Sequence, residues 1–212
     1  MQAPLVPTIA ARSWPRLDSR VRDLLLIVAG SLFVAGLAQV RIPLPFTPVP
    51  LTGQTFAVLL VGAALGARRG AASLLLYLAE GLLGLPFFAG GGSGLAYLSG
   101  PTGGYLVGFV LAAGVVGWLA EKIGVSRITT ALLVFLAGEL VLFATGVLWL
   151  GAFLGLQQAF AAGFLPFVIG DLIKMVAAAL ALPIAWKLAR GGQAQPPENR
   201  GVLSHDTKDK NV

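Results

Sequence analysis

Cysteine is absent from the chain. Disulfides and thiolate metal sites are therefore excluded. Histidine occurs once, as His205 in a polar C-terminal stretch, so no histidine-based metal site or catalytic dyad is available in the apolar part. Charge is also scarce: Asp, Glu, Lys and Arg make up 11% of the 212 residues and hydrophobic residues 57%. Soluble domains carry about 25% charged and about 45–50% apolar residues. So little polar material cannot cover a soluble domain, and lipid must be the solvent for most of the chain. A spanning helix takes about 20 apolar residues, so the length holds about five to seven of them and no large soluble domain.

What is abundant fits that setting. The 28 glycines suit helices that approach closely where lipid removes the hydrophobic drive between them. Hydropathy gives six segments: about Leu24 to Val40, Thr52 to Gly66, Ala71 to Leu85, Tyr105 to Ala120, Thr129 to Leu150, and Phe164 to Leu188. The first is read as a retained helix rather than a signal peptide, because no small-residue cleavage pattern follows it. Basic residues alternate between the connections. Arg12, Arg16, Arg20 and Arg22 precede the first segment, Arg68 and Arg69 follow the second, Lys122 and Arg127 follow the fourth, and Lys187 and Arg190 close the sixth. Arg41 alone falls on the opposite side. Cytoplasmic loops collect Lys and Arg. The expected fold class is an all-α integral membrane protein of six transmembrane helices with both termini cytoplasmic. Residues 1–23 are the expected cytoplasmic N-terminal segment, 24–190 the membrane domain and 191–212 a disordered cytoplasmic tail. The net charge of +6 then reflects topology rather than affinity for nucleic acid.

Two connections on the outer side stand out. RIPLPFTPVPLTGQ, Arg41 to Gln54, contains Pro43, Pro45, Pro48 and Pro50, which favour extended backbone. LPFFAGGGSGLAYLSGPTGG, Leu85 to Gly104, has the glycines for tight irregular backbone. Both also carry large apolar residues, among them Phe46, Phe87, Phe88 and Tyr97. Irregular backbone at membrane depth is tolerated where it is buried or lines a cavity, so the two loops are expected to lid an outward-facing pocket.

Four ionisable residues fall inside the segments: Glu80, Glu139, Asp171 and Lys174. A charge at that depth marks a functional site by default. Asp171 and Lys174, three apart, share a helix face. They serve either as a buried salt bridge that fixes packing or as a recognition pair for a neutral polar ring, the ammonium donating to a carbonyl and the carboxylate accepting from an N–H. Glu80 has two readings, a pocket group or a side chain satisfied by its neighbours, and Glu139 is read as structural. Thr52 and Gln54 open the second segment, and Thr102 precedes the fourth. Each either caps a helix or helps hold an anionic tail at a helix N-terminus. In the first segment Ser31 and Ala35 stand four apart, a spacing that forms a flat strip for another helix.

The runs RIPLPFTPVPLTGQT and GLPFFAGGGSGLAYLSGPTGGYLVGF, with the later GDLIK, resemble the BioY family, the biotin-specific substrate-binding (S) components of energy-coupling factor (ECF) transporters. The resemblance covers about Leu24 to Leu188. It implies six membrane helices in the cytoplasmic membrane of a prokaryote and high-affinity capture of biotin from outside. It places the ureido ring at the positions matching Asp171 and Lys174. Gln54, Glu80, Tyr97 and Thr102 fall in stretches near the expected pocket. The family's small-xxx-small motif, which docks on the transmembrane coupling protein, matches Ser31 and Ala35, with serine in place of the usual first alanine. No cofactor is implied. ATP enters only through paired ATP-binding partner subunits, in keeping with the absence of a GxxxxGK[ST] phosphate loop.

Three other readings compete. A related subunit for another small vitamin or ion would share the plan and differ in the pocket. An intramembrane enzyme would need a nucleophile and base, and the sole conceivable dyad, Glu80 with Asp171, is compromised by Lys174. A scaffold would have no use for a lid. The resemblance leads to a direct expectation: Asp171→Asn and Lys174→Ala each weaken biotin binding at least tenfold, because each strands a charged partner. Equilibrium binding to the purified variants measures this.

Overall fold

Where lipid is the solvent, backbone N–H and C=O groups must be satisfied within each segment, which makes the helix the default. The computed structural model describes residues 4–191, with side chains to 185. Its elements are α1 (Leu5–Ser13), α2 (Ser19–Ala38), β1 (Arg41–Ile42), β2 (Leu51–Thr52), α3 (Gln54–Leu65), α4 (Ala67–Leu82), α5 (Gly94–Leu98), α6 (Gly103–Ile123), α7 (Ile128–Leu154), α8 (Leu156–Gly163) and α9 (Val168–Gly191). All six expected segments are helical. Among the described residues four helices are long and apolar enough to cross a membrane: α2, α6, α7 and the Val168–Ala185 part of α9. The 12 residues of α3 reach only roughly 18 Å at 1.5 Å per residue, short of the roughly 30 Å hydrocarbon core. The α4 helix has 16 residues and carries Arg68 and Arg69 in its first turn.

Several expected boundaries move. Residues 1–23 are not a plain segment: α1 packs with α2 and α3 and buries Leu5 and Ala10. Helix α2 begins at Ser19, five residues before the apolar run, because Asp18 caps it by accepting from the Arg20 N–H at 2.7 Å. The link after α7 is itself helical, as α8 folds back against α7. The last helix therefore starts at Val168 rather than Phe164. The expected disordered tail lies, past Gly191, outside the described residues.

Helix α6 sits centrally, packed against α3, α4 and α7, while α2 lies on α4, and α9 on α3 and α7. The outward faces are strongly apolar: Leu32, Leu133, Leu140, Ile169 and Ile173 are all at least half exposed. Such a surface would aggregate in water and is what a bilayer solvates.

Glycine sets the closest approaches. A Cβ at Gly62 of α3 would lie 2.7 Å from the Ala113 carbonyl oxygen of α6, and a Cβ at Gly70 of α4 would lie 3.0 Å from the Gly62 Cα. Three backbones thus converge on one residue without a side chain. The α3–α4 corner is Gly66, with φ +85°, a conformation that glycine adopts at no steric cost. Glu121 of α6 reaches this corner and accepts from the Ala67 N–H at 3.0 Å.

Because the nearest atoms facing Gly62 are Ala113 backbone, with the Val116 Cβ beside them, Gly62→Leu is expected to destabilise the fold by about 1–3 kcal/mol, the usual range for overpacking. Thermal unfolding of the purified variant in detergent reads it directly.

Candidate ligand-binding site

The Pro-rich connection is pinned at its base by the antiparallel β1–β2 pair, in register Arg41↔Thr52 and Ile42↔Leu51. The prolines between them cannot donate to a ladder, so pairing stops after two residues per strand and the rest forms an irregular flap. The Gly-rich connection folds around Phe88, which is fully buried. The Phe88 ring lies edge-on to Tyr77, with centroids 5.6 Å apart, and beside Tyr97 at 5.1 Å. Gln39 at the end of α2 ties the loop down. Its amide donates to the Phe88 carbonyl at 3.3 Å and accepts from the Gly91 N–H at 3.0 Å.

Beneath these loops lies a cavity of about 50 Å³. Val49 and Pro50 come from the first loop, Ala89, Tyr97 and Thr102 from the second. A vestibule of about 390 Å³ adjoins the cavity, with Pro50, Ala89, Tyr97 and Thr102 in the walls of both. Arg41 stands in the vestibule, its guanidinium laid against Gly90, where any Cβ would collide with it.

The polar floor of the inner cavity joins α3 to α9. Asp171 is in the first turn of α9, where the helix dipole favours a carboxylate, and is 3% exposed. The Lys174 ammonium donates to Asp171 Oδ1 at 2.7 Å and to Thr55 Oγ1 at 3.1 Å. The Thr55 hydroxyl in turn donates to Asp171 Oδ1 at 2.8 Å. Each pair in this triangle is complementary in donor and acceptor. Both bonds to Asp171 fall on one oxygen, which leaves Oδ2 without a partner among the described residues. Lys174 likewise has used two of its three donors. The floor therefore retains one acceptor and one donor, within apolar walls that include Phe109, Phe143 and Phe167.

The other expected residues divide. Gln54 is buried in the wall, its amide donating to the Tyr77 hydroxyl at 2.7 Å, and that hydroxyl donates to the Phe87 carbonyl at 3.2 Å. Tyr97 lines both chambers and donates to the Ala89 carbonyl at 3.3 Å. Burial pushes its phenol above the ordinary range, which keeps it a neutral donor. Thr102 lines both chambers as the N-cap residue of α6, with no side-chain cap bond.

Glu80 does not line the cavity. Tyr77 and Gly81 face the Phe88 ring, and this register turns Glu80 toward α2, where it accepts from the Ser31 hydroxyl. That contact also places the Ser31 and Ala35 strip, expected to meet another helix and matched by resemblance to partner docking, against a helix of this chain. Ser31 is wholly buried and Ala35 is 4% exposed, because the strip faces α4 of the same chain. Beyond its first turn, the exposed small residues of α2 are Ala29 and Gly36.

Sequence reasoning missed Thr55 and Tyr105. A threonine in an apolar helix carries no signal of its own, although its position next to Gln54 placed it at the mouth of the second segment. The Tyr105 hydroxyl donates to the Gly163 carbonyl at 2.7 Å and so fastens the end of α8 beside the cavity. Nothing in the sequence announced α8.

These features define an all-helical membrane protein with a small polar-floored pocket beneath two irregular loops, the architecture of a substrate-capturing S component. A crystal structure of the S-component for biotin from an ECF-type ABC transporter has the same fold, with a TM-score of 0.73 and 27% identity over 79% of this chain and 92% of that one. The BioY family model matches residues 10–191, and the chain belongs to the BioY family. It is 42% identical to a probable biotin transporter BioY of Pyrococcus horikoshii, over 74% of this chain and 92% of the relative. It is 41% identical to a biotin transporter BioY of Rhizobium etli, over 75% and 90%.

The placement of Glu80 leads to a clear outcome. Glu80→Ala strands the Ser31 hydroxyl between α2 and α4 and is expected to destabilise by about 1–3 kcal/mol while leaving ligand affinity within about threefold. Paired thermal-unfolding and binding curves test this, and lost binding at unchanged stability would return Glu80 to the site.

Proposed function

We propose that this chain captures biotin as the substrate-specific component of an ECF-type transporter in the cytoplasmic membrane of a prokaryote. One observation carries the reading: the Thr55–Asp171–Lys174 triangle, buried at the end of a loop-covered pocket, with one free acceptor beside one free donor. A ureido ring has N–H donors beside a carbonyl acceptor. Its N–H donates to Asp171 Oδ2, and its carbonyl accepts the remaining Lys174 N–H. In an apolar chamber, a ligand lacking either group would leave a charged group unpaired, which is a strong basis for selectivity. The relatives named as biotin transporters and the biotin S-component support the same substrate.

The rest of the ligand follows from the two chambers in series. Phe109 and Phe143 suit an apolar ring and chain, Gln54 and Tyr97 shape the walls, and Arg41 is the counter-ion for a carboxylate that reaches the vestibule, near Thr102 at the start of α6.

The membrane arrangement is six segments with both termini cytoplasmic, supported by the alternation of basic residues. The short α3 and α4 complete their crossings with the loops that flank them. Uptake draws on a transmembrane coupling protein and paired ATP-binding subunits, since this chain has no phosphate loop of its own. The exposed face of α2 around Ala29, Phe33 and Gly36 is the docking surface for the coupling protein, in place of Ser31 and Ala35.

Equilibrium binding of radiolabelled biotin to the purified full chain is the test. Binding that thiamine and riboflavin do not displace is expected. Thr55→Val weakens it about tenfold or more, the worth of hydrogen bonds to charged groups, and Thr55→Ser retains most of it. A folded, monodisperse preparation that binds no biotin overturns the assignment.

A further inference from the structure

The corner between α1 and α2 takes no part in the pocket. Helix α1 packs on α2 and α3 and buries Leu5 and Ala10, and the chain then turns over residues 14–18 into α2. The turn is tied down. The Trp14 carbonyl accepts from the Leu17 N–H at 3.3 Å and from the Arg22 guanidinium at 3.1 Å, while Asp18 caps α2. Even so, Trp14 is 48% exposed, Leu17 40% and Val21 46%. Arg12, Arg16 and Arg20 are exposed among them, and none of the three has an ion-pair partner among the described residues. Two acids lie in this stretch. Asp23 is taken by Arg69 of α4 through two bonds, at 2.7 and 3.1 Å. Asp18 is left alone against the four arginines of residues 12–22.

The depth of this corner follows from α2. Exposed Leu24 and Leu25 continue the apolar outer face of the helix, and Arg20 shares a face with Leu24, four residues on. One helical turn rises about 5.4 Å, so Arg20 stands within roughly that distance of the hydrocarbon edge, at headgroup level. Water is a poor solvent for Trp14, Leu17 and Val21, and hydrocarbon is a poor one for three arginines. The headgroup layer suits both, since tryptophan concentrates there and arginine lays its stem on apolar surface while its head stays polar. The planar guanidinium fork matches phosphate oxygens. A zwitterionic lipid carries its own cation beside the phosphate, so a net basic surface selects an anionic one. The patch also runs without a break into the leucines of α2, so a lipid covering those leucines already lies at the arginines.

We propose that the α1–α2 corner is a binding surface for the headgroup of an anionic phospholipid. Arg12, Arg16 and Arg20 supply the charge, and Trp14, Leu17 and Val21 supply the apolar contact. The orientation proposed above makes this the cytoplasmic leaflet, and nothing in the surface depends on what the pocket binds.

The test is native mass spectrometry of the full chain released from nanodiscs of equal parts phosphatidylglycerol and phosphatidylcholine with matched acyl chains. The retained lipid is expected to be enriched at least tenfold in phosphatidylglycerol. Arg16→Gln and Arg20→Gln are each expected to lower the enrichment about fivefold, the worth of one basic residue at an anionic surface. The triple variant Arg12→Gln, Arg16→Gln, Arg20→Gln is expected to bring it to parity. Arg16→Lys and Arg20→Lys keep the charge and retain most of the enrichment. Arg68→Gln and Arg127→Gln, which remove exposed basic residues outside the corner, are expected to change it less than twofold. Melting curves report folding, so the test stands whether or not the pocket binds biotin. Equal retention of the two lipids, or unchanged enrichment in the triple variant, would overturn the proposal and leave the corner to a protein partner. A loss in Arg68→Gln and Arg127→Gln equal to that in Arg16→Gln would overturn it as well, reducing the effect to diffuse attraction by every basic residue.

Discussion

Lipid offers no hydrogen bond to a peptide group, and the architecture follows from that restriction. Each long apolar run closes its own backbone bonds as a helix, and irregular chain survives only where other parts of the protein satisfy it. The Gly-rich loop shows how this is done. It winds around the buried Phe88 ring, and Gln39 contributes both a donor and an acceptor to its backbone. The Pro-rich loop has fewer donors to satisfy, because proline brings none. What would be a surface turn in a soluble protein becomes a roof over a cavity.

The same restriction governs the charges. Asp171 and Lys174 are tolerable because Thr55 completes a triangle in which a donor meets an acceptor along every edge. The triangle leaves one carboxylate oxygen and one ammonium N–H without a partner among the described residues. An open polar cluster inside hydrocarbon is costly unless something polar completes it. Glu139 presents the opposite case. Among the described residues neither of its carboxyl oxygens has a hydrogen-bond partner.

Much of this was legible in the residues. Long apolar runs located all six principal helices, because hydropathy and the helix rise together measure a membrane crossing. Asp171 and Lys174 were legible as a pair because a three-residue spacing fixes a shared face in any helix. The elements that went unread are short or dictated by neighbours. Helix α8 carries no apolar run of its own length that separates it from the flanking segments. Helix α1 is held by packing against α2 and α3. Ser31 and Ala35 illustrate the limit most clearly: their spacing defines a strip, but spacing does not say whether the strip meets this chain or another.

By itself, the sequence determined that this is a helical membrane protein, where its main helices run, and which charged pair shares a face. Each of these depends on residues close together along the chain, through hydropathy and helical period. Only the tertiary structure decided that Thr55 joins Asp171 and Lys174, from 116 and 119 positions away. It also decided that Glu80 turns toward α2 and that Glu139 is buried without a hydrogen-bond partner among the described residues. These outcomes rest on how helices rotate and pack against one another. That rotation is set by glycine contacts such as Gly62 on Ala113, which no local pattern specifies.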